Sequence, residues 1–154
     1  IFVIQDNGWA ISVPVHEQTA GGSITHMAEG YVGLAVYPVD GGDYVALHEA
    51  LEAAMQRGRN LEGPSLIVAK VPRIGPHSSS DDPQKYKTDS HFDEDAKQDP
   101  IPRFEEWLLR EGHITPEEIE VLREKIKEEI EMAAKQAERF PLQKSEHVLD
   151  HVYK

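Results

Sequence analysis

The feature that most constrains the fold is an alternation of short apolar runs with helix-like segments along the first two-thirds of the chain. Three runs have the length and composition of β-strands: Ile1–Ile4, Ala35–Val39 and Ser65–Val71. Helical periodicity predicts a short helix over Ile24–Tyr31 and a longer one over 43–57. Strand–helix–strand alternation is typical of a parallel sheet with helices on its faces, so the sequence predicts an α/β fold.

This sheet is expected to be incomplete within the chain. Three strands are too few for a complete doubly wound sheet, and Ile1 opens inside an apolar run without an initiator methionine. We therefore expect the remaining strands to lie upstream of residue 1.

A helical region follows. Asp99-Pro100 starts a helix that ends at Gly112, and Phe104, Trp107 and Leu108 are predicted to face inward. A capping box at 115–118 then begins a long helix that reaches about Arg139. We divide the chain into an α/β part over 1–98 and a helical extension over 99–154, which ends in an extended tail over Val148–Tyr153.

The long helix carries one apolar stripe flanked by Glu and Lys. Its members are Ile119, Leu122, Ile126, Ile130, Ala133, Ala137 and Phe140. Such a stripe suits packing along a neighbour. Docking onto a globular body is favoured over a self-associating coiled coil, because the end of the stripe is rich in alanine.

Composition excludes several classes of protein. The 154 residues contain no cysteine, which excludes a disulfide scaffold and a thiolate nucleophile. No apolar run approaches the length of about 20 residues that a membrane span requires, so we expect no membrane partner. The formal net charge of −12 disfavours a nucleic-acid partner, since phosphate binding needs a basic face.

Asp6-Asn7-Gly8 directly follows the first predicted strand. Ligands collect beyond the carboxyl ends of parallel strands, and the Asn7 amide oxygen is a ligand for a hard cation. Gly8 would let the backbone turn so that a carbonyl faces the same point. The same tripeptide is also an ordinary turn, and the motif alone does not separate the two readings.

A polar segment over 73–98 follows the third strand. It contains His77, three serines and two aspartates within a few residues, a concentration of acid/base and hydrogen-bonding groups. The alternative is a solvated surface loop. We predict a long loop without regular structure, and we expect Pro76–Gln98 to be mobile in the absence of a ligand.

Together these segments resemble one family. The stretches QDNGWAISVP, VDGGD, GPSLI and RIGPHSSSDDPQKY, followed by Asp99-Pro100-Ile101, are similar to the carboxyl-terminal part of the alpha subunit of thiamine diphosphate-dependent 2-oxo acid dehydrogenases. The resemblance covers Ile1 to about Phe140 and leans slightly toward the branched-chain enzymes over the pyruvate enzymes. It implies a partial thiamine diphosphate-binding fold.

The resemblance implies a set of cofactor ligands. Mg²⁺ would take the side-chain oxygen of Asn7 and the backbone carbonyl of Trp9, while Gln5, Ile11 and His77 would also lie at the cofactor. Gln5 stands where some members carry a basic residue, so that contact is expected to be lost. The family's acidic Mg²⁺ ligand belongs to a Gly-Asp-Gly motif expected upstream of residue 1. The chain alone is therefore expected to bind cofactor and metal weakly or not at all.

The resemblance also assigns roles in the polar segment. His77 matches the catalytic histidine, and Ser78 matches a position that is phosphorylated in the animal enzymes. Arg73, Asp81 and Tyr86 match residues that order the loop. Lys87 replaces the usual arginine.

The implied activity is decarboxylation of a branched-chain 2-oxo acid or pyruvate, with transfer of the acyl group to a lipoyl group. The implied partners are a beta subunit and a lipoyl-bearing acyltransferase, in the cytoplasm or the mitochondrial matrix. Two alternatives stay open: a non-catalytic assembly module, and a thiamine enzyme of the acetoin dehydrogenase or transketolase type.

Overall fold

The computed structural model describes residues 1–142, 144–150 and 152. The strands are β1 (Phe2–Asp6), β2 (Trp9–Ala10), β3 (Val13–Pro14), β4 (Ala35–Asp40) and β5 (Ser65–Lys70). The helices are α1 (Val15–Gln18), α2 (Ile24–Ala28), α3 (Tyr44–Arg59), α4 (Asp89–Lys97), α5 (Pro100–Arg110) and α6 (Pro116–Glu138). Single 3-10 turns lie at Ala20–Gly22, Pro83–Lys85 and Ser145–His147.

Strands β1, β5 and β4 form one parallel sheet in that order. The central strand β5 has Ser65–Ala69 buried, as expected for a parallel strand that is covered on both faces. The predicted α/β class with flanking helices is confirmed. In register, the last residues of β1 and β4, Asp6 and Asp40, both pair with Lys70, so the three strands end at the same edge.

The core follows from the two-residue period of β5. Leu66 and Val68 point to one face, where they pack with Ala28 of α2 and with partly buried side chains from β1 and β4. Ile67 points to the opposite face and is fully buried. Helix α3 packs on β4 and β5 and buries Ala54.

The predicted helix starts are confirmed in detail. Asp43 accepts a hydrogen bond from the Ala46 N–H at 3.0 Å, which caps α3. The Glu118 N–H donates to the Thr115 hydroxyl at 3.2 Å, and Glu118 accepts from the Thr115 N–H at 2.9 Å. This reciprocal pair is the predicted capping box of α6.

Segments that the sequence predicts as irregular or extended contain regular structure. Residues 73–98 include a 3-10 turn at Pro83–Lys85 and helix α4, so the prediction of a loop without regular structure is wrong. At the start of α4, the Thr88 N–H donates to Nδ1 of His91 at 3.1 Å, which is one half of a capping box in which histidine replaces the usual Glu or Gln.

The predicted extended tail is also wrong where the structure describes it. The Val148 N–H donates to the Ser145 carbonyl at 3.3 Å and the Asp150 N–H to the His147 carbonyl at 3.0 Å, which makes a succession of turns. His151 and Tyr153 lie outside the described residues.

The chain divides into two compact units, Ile1–Arg110 and Glu111–Lys154. Helix α5 belongs to the first unit, since Phe104 contacts Tyr44 of α3 with ring centroids 4.5 Å apart. The compact units therefore divide at a different place from the predicted parts 1–98 and 99–154. The functional division after residue 98 stays a prediction.

Helix α6 is the main element of the second unit. Ile119 is buried, whereas Leu122, Ile126 and Ile130 of the same apolar stripe are 48%, 46% and 64% exposed. Among the residues that the structure describes, no helix combines the length and apolar character needed to cross a membrane.

Candidate functional site

A tight turn connects β1 to the short hairpin of β2 and β3. The Asp6 side chain accepts from the Gly8 N–H at 3.1 Å, and the Asn7 amide oxygen accepts from the Trp9 N–H at 3.0 Å. Gly8 has φ = 76°, which glycine adopts without steric cost. These bonds fix the orientation of the Asn7 amide at the carboxyl edge of the sheet.

A cavity of about 980 Å³ opens at that edge. It is lined by the turn after β1, by the ends of β4 and β5, and by one side of α4. Its polar lining includes Asp6, Asn7, Asp40, Lys70, His91, Glu94, Asp95, Gln98 and Arg103. The volume lies at the upper end of the range for small-molecule and cofactor sites.

Arg73 joins the segment around Asn7 to the His77 loop. One guanidinium nitrogen donates to the Ile11 carbonyl at 2.7 Å, and another donates to the Tyr86 hydroxyl at 2.6 Å. Ile11 has φ = 57°, a strained conformation for a β-branched residue, and the residue is 54% exposed. The loop thus begins with an anchor on the strained backbone that follows the Asn7 turn.

Asp81 organises the remainder of the loop. Its Oδ2 accepts from the Tyr86 hydroxyl at 2.6 Å and from the His77 backbone N–H at 2.8 Å. The chain of hydrogen bonds therefore runs from Ile11 through Arg73, Tyr86 and Asp81 to the backbone of His77. Three residues predicted to order the loop, Arg73, Asp81 and Tyr86, are brought together.

The charges of this network are consistent with its bonds. The hydrogen bond from Tyr86, followed by the one from the His77 N–H, lowers the pKa of the Asp81 carboxyl below its ordinary value. Partial burial, followed by the hydrogen bond to Asp81, raises the pKa of the Tyr86 phenol. At neutral pH, Asp81 is therefore ionised and Tyr86 is a proton donor.

The indole of Trp9 is packed against this network. Its ring centroid lies 5.4 Å from that of Tyr86 and 5.8 Å from that of His91, which meets it edge-on. The guanidinium of Arg73 and the ammonium of Lys87 each lie 5.7 Å from the indole centroid. Trp9 thus contacts both the loop and α4.

Asp40 and Arg103 form an ion pair at the cavity that the sequence analysis did not identify. Two guanidinium nitrogens reach the Asp40 carboxylate at 2.9 and 3.4 Å. The hydrogen bond from Arg103 is the main cause that lowers the pKa of Asp40 and raises that of Arg103. The Asp40-Gly41-Gly42 turn was the local sequence feature that could have indicated Asp40. Its partner Arg103 is 63 residues away in the sequence, so no local pattern predicts the pair.

Most of the predicted site residues fall into two groups, whereas Gln5 and Ser78 belong to neither. Asn7 and Trp9 line the cavity, and Ile11, Arg73, Asp81, Tyr86 and His77 form the hydrogen-bonded chain described above. Gln5 is exposed on β1, and neither it nor His77 is among the residues that line the cavity. Ser78 lies on the exposed loop with its hydroxyl 3.2 Å from that of Ser80.

The residues at the turn fit a magnesium–diphosphate group in part. The Asn7 oxygen accepts one hydrogen bond and keeps a second lone pair. The Val15 N–H donates to the Gly8 carbonyl, so the neighbouring pair Trp9 and Pro14 exchanges no backbone hydrogen bond and the Trp9 carbonyl is not used between the two strands. Both are the hard oxygen donors that Mg²⁺ prefers. Within residues 1–142, 144–150 and 152, no group of three or more His, Asp or Glu side chains is placed to hold a metal.

Comparison with known proteins agrees with the resemblance of the motifs. The alpha subunit of 3-methyl-2-oxobutanoate dehydrogenase from Mycobacterium tuberculosis is 44% identical over 112 residues, which cover 73% of this chain and 30% of that protein. The alpha subunit of the pyruvate dehydrogenase E1 component from Bacillus subtilis is 40% identical over 156 residues, covering 99% of this chain and 41% of the relative.

The 2-oxoisovalerate dehydrogenase alpha subunit of Bacillus subtilis is 34% identical over 153 residues, covering 99% of this chain and 46% of that protein. The chain thus spans less than half the length of these three relatives. The model of the Dehydrogenase E1 component family matches residues 1–146. On that match, and on the fold that carries it, the chain belongs to the Dehydrogenase E1 component family.

Proposed function

We propose that this chain is part of the alpha subunit of a 2-oxo acid dehydrogenase. The whole enzyme would use thiamine diphosphate and Mg²⁺ to decarboxylate a branched-chain 2-oxo acid or pyruvate and to acylate a lipoyl group. The observation that carries the proposal is the Arg73 bridge, which ties the backbone after the Asn7 turn to the His77 loop. A candidate metal–diphosphate holder and a candidate proton carrier are thereby linked mechanically.

The holding role falls to the turn after β1. The Asn7 amide oxygen and the Trp9 carbonyl would bind Mg²⁺, and the exposed apolar side chain of Ile11 would face the cofactor. Thiamine diphosphate, when bound, supplies the electron sink for loss of carbon dioxide. Since Mg²⁺ requires near-octahedral oxygen ligation, further oxygens must come from outside this chain or from the diphosphate.

The proton-handling role falls to His77. Its backbone is held by Asp81, so the loop presents the imidazole from a fixed point while the side chain stays on an exposed segment. A neutral imidazole near pH 7 can donate or accept a proton at a substrate oxygen. Phosphorylation of Ser78 would add about −1.5 to −2 charges next to Asp81, which would repel that carboxylate and loosen the loop.

The proposed partners are those of a larger assembly. A beta subunit would complete a heterotetramer, and a lipoyl-bearing acyltransferase would receive the acyl group, in the cytoplasm or in the mitochondrial matrix. Residues 1–98 would carry the cofactor site and 99–154 would form the helical extension. On this proposal, the isolated chain is inactive.

A second candidate function is that of an assembly module. In this case, this part of the chain would bind a partner in the complex and take no part in catalysis. It is favoured by α6, because Leu122, Ile126 and Ile130 on its apolar stripe are about half exposed or more. A stripe of that kind on an otherwise charged helix suits a helix-packing partner.

Titration calorimetry of thiamine diphosphate with Mg²⁺ tests the proposal. We expect tight binding by the complete alpha–beta assembly and weak or no binding by residues 1–154 alone. In the assembly, Asn7→Ala should weaken binding by at least about tenfold, the lower end of the effect of losing even an outer-shell metal partner. Asn60→Ala is the matched control, since Asn60 caps the far end of α3.

Each result has a distinct meaning. Tight binding by the chain alone would contradict the account of missing ligands. Absence of binding by the complete assembly would contradict the proposed function and favour the assembly module.

A further inference from the structure

Lys87 is the one charged residue classed as buried in the part of the chain that the structure describes. The residue is 5% exposed and its side chain 1% exposed. A buried ammonium is unfavourable unless it is paired and hydrogen-bonded, so the surroundings of Lys87 must compensate for its loss of water. The partners of Lys87 therefore show which segments of the chain this buried charge holds together.

Two oxygen acceptors and two aromatic rings surround the ammonium. Nζ donates to Oδ2 of Asp95 on α4 at 2.5 Å and to the backbone carbonyl of Arg73 at 2.7 Å. It also lies 5.7 Å from the centroid of Trp9 and 5.8 Å from that of Phe92. Lys87 therefore touches three separate segments: the turn after β1, the start of the His77 loop, and α4.

The contact with Arg73 links Lys87 to the hydrogen bonds that hold the loop. Lys87 holds the backbone of the residue whose guanidinium binds the Ile11 carbonyl and the Tyr86 hydroxyl. The ammonium also lies 5.7 Å from the indole centroid of Trp9, whose backbone N–H donates to the Asn7 side-chain oxygen. Lys87 thus contacts Trp9, which is bonded to the Asn7 turn, and Arg73, which begins the His77 loop. A displacement of Lys87 would therefore disturb both segments.

We propose that Lys87 and Asp95 are a positioning pair that sets the Asn7–Trp9 turn and the base of the His77 loop together. Neither residue needs to touch cofactor or substrate. The pair couples the two segments mechanically, and its consequence for cofactor affinity rests on the proposed function.

The two partners should be unequal. Asp95 keeps 21% of its side chain exposed, so water can solvate its charge when Lys87 is lost. Lys87 has almost no access to water, so loss of the Asp95 charge leaves a buried cation without its anion. We expect Asp95→Asn to disturb both segments at least as much as Lys87→Met.

Hydrogen–deuterium exchange on the complete alpha–beta protein tests this inference, with peptides that cover 6–11, 74–86 and 65–70. Lys87→Met and Asp95→Asn should each raise exchange in 6–11 and in 74–86 by about tenfold or more, the effect of losing one charge-assisted hydrogen bond. Strand β5, over 65–70, should stay protected. Lys87→Arg should behave as the parent, because it keeps a cation there.

Lys85→Met is the matched control. Lys85 is two residues away in the same segment, its side chain is 80% exposed, and its ion pair with Asp82 spans 3.9 Å. It should leave exchange in 6–11 unchanged. The double variant Lys87→Met/Asp95→Asn should be no worse than the more severe single variant, since the two residues act as one unit.

A second readout separates positioning from chemistry. With Mg²⁺ and thiamine diphosphate, Lys87→Met should raise the KM for the cofactor, because the Asn7–Trp9 turn loosens, and should also lower kcat at saturation, because the His77 loop loosens with it. A loss of kcat with an unchanged KM would overturn the inference.

The exchange data decide the mechanical claim by themselves. Changes confined to 88–97, with 6–11 unaltered in both variants, would overturn it. If Lys87→Met also raises exchange in β5, the variant is broadly unfolded. The result for Asp95→Asn, which keeps the side-chain volume, then decides for or against the coupling. If the parent protein binds no thiamine diphosphate, the proposed function fails while the exchange result still stands for or against the coupling.

Discussion

At the scale of single residues, the site depends on a few side chains that each hold two segments. Arg73 binds the Ile11 carbonyl and Tyr86, and Asp81 binds Tyr86 and the His77 backbone. These residues lie close together in sequence, within the loop motif RIGPHSSSDDPQKY, so the family resemblance identified them. Lys87–Asp95 and Asp40–Arg103 escaped prediction because a spacing pattern does not reveal which charges tertiary folding will pair.

A titration of Tyr86 tests the residue network. Asp81→Asn should lower the pKa of Tyr86 toward its ordinary value of 10.0, because the hydrogen bond to the Asp81 carboxylate helps to raise it, while partial burial persists. NMR of tyrosine labelled at Cζ measures the midpoint. Asp82→Asn is the control, since the Asp82 carboxylate accepts from the Gln84 N–H instead. An unmoved midpoint in Asp81→Asn would contradict the network.

The same shifts give the pH window of the loop. The folded-state pKa of Asp81 is lowered, so its contribution is present above 3.8 and is lost as pH falls through the folded value. The pKa of Tyr86 is raised, so its contribution is present below 10.0 and is lost as pH rises through the folded value. The network is therefore intact across neutral pH.

At the scale of elements, the parallel strands and the longest helices were predictable. Apolar runs, the Asp43 cap and the Thr115 capping box carry local signals of known mechanism. Helix α4 was not predicted, because its sequence DSHFDEDAK is polar and its box uses His91. Its placement depends on contacts of Trp9 with His91 and of Lys87 with Asp95, which no local pattern encodes.

Two glycines test the packing of the turn after β4 against the end of β5, because the same substitution should have opposite effects at the two positions. A Cβ at Gly41 would lie 2.5 Å from Cγ1 of Val71 and 3.0 Å from the Lys70 carbonyl oxygen. Gly41→Ala should therefore lower the free energy of unfolding by about 1–3 kcal/mol through overpacking. Gly58 lies in α3 with no heavy atom within 4 Å of a Cβ placed there. Gly58→Ala should raise the same free energy by about 0.5–1 kcal/mol.

Urea unfolding of the complete protein measures both changes. Opposite signs for the two variants support the described packing of the turn after β4. Equal signs would show that the close approach of Gly41 to Val71 and Lys70 is wrong.

At the scale of the whole molecule, the family is shown by the match over residues 1–146. The relatives divide between branched-chain and pyruvate enzymes, at 44%, 40% and 34% identity. Each of them is more than twice as long as the matched part. On the proposed function, residues outside this chain would contribute to the pocket that selects the 2-oxo acid.

Turnover by the complete alpha–beta protein decides the substrate class. We expect 3-methyl-2-oxobutanoate to be preferred over pyruvate, following the loop resemblance, with acetoin inactive. His77→Ala should reduce turnover by about 10²–10⁴-fold, as expected for loss of a general acid or base. His48→Ala, on α3, is the control and should keep parent activity. Preference for acetoin would support the alternative thiamine enzyme.

The packing of Trp9 has a practical consequence. Its indole centroid lies 5.7 Å from both the Arg73 guanidinium and the Lys87 ammonium, and the ring contacts Tyr86 and His91, all groups that move if the loop or α4 moves. The chain contains only one other tryptophan, Trp107. Within these residues, Trp9 is therefore a native optical reporter: with Trp107 replaced by Phe, changes in its emission would report any movement of the His77 segment without an attached dye.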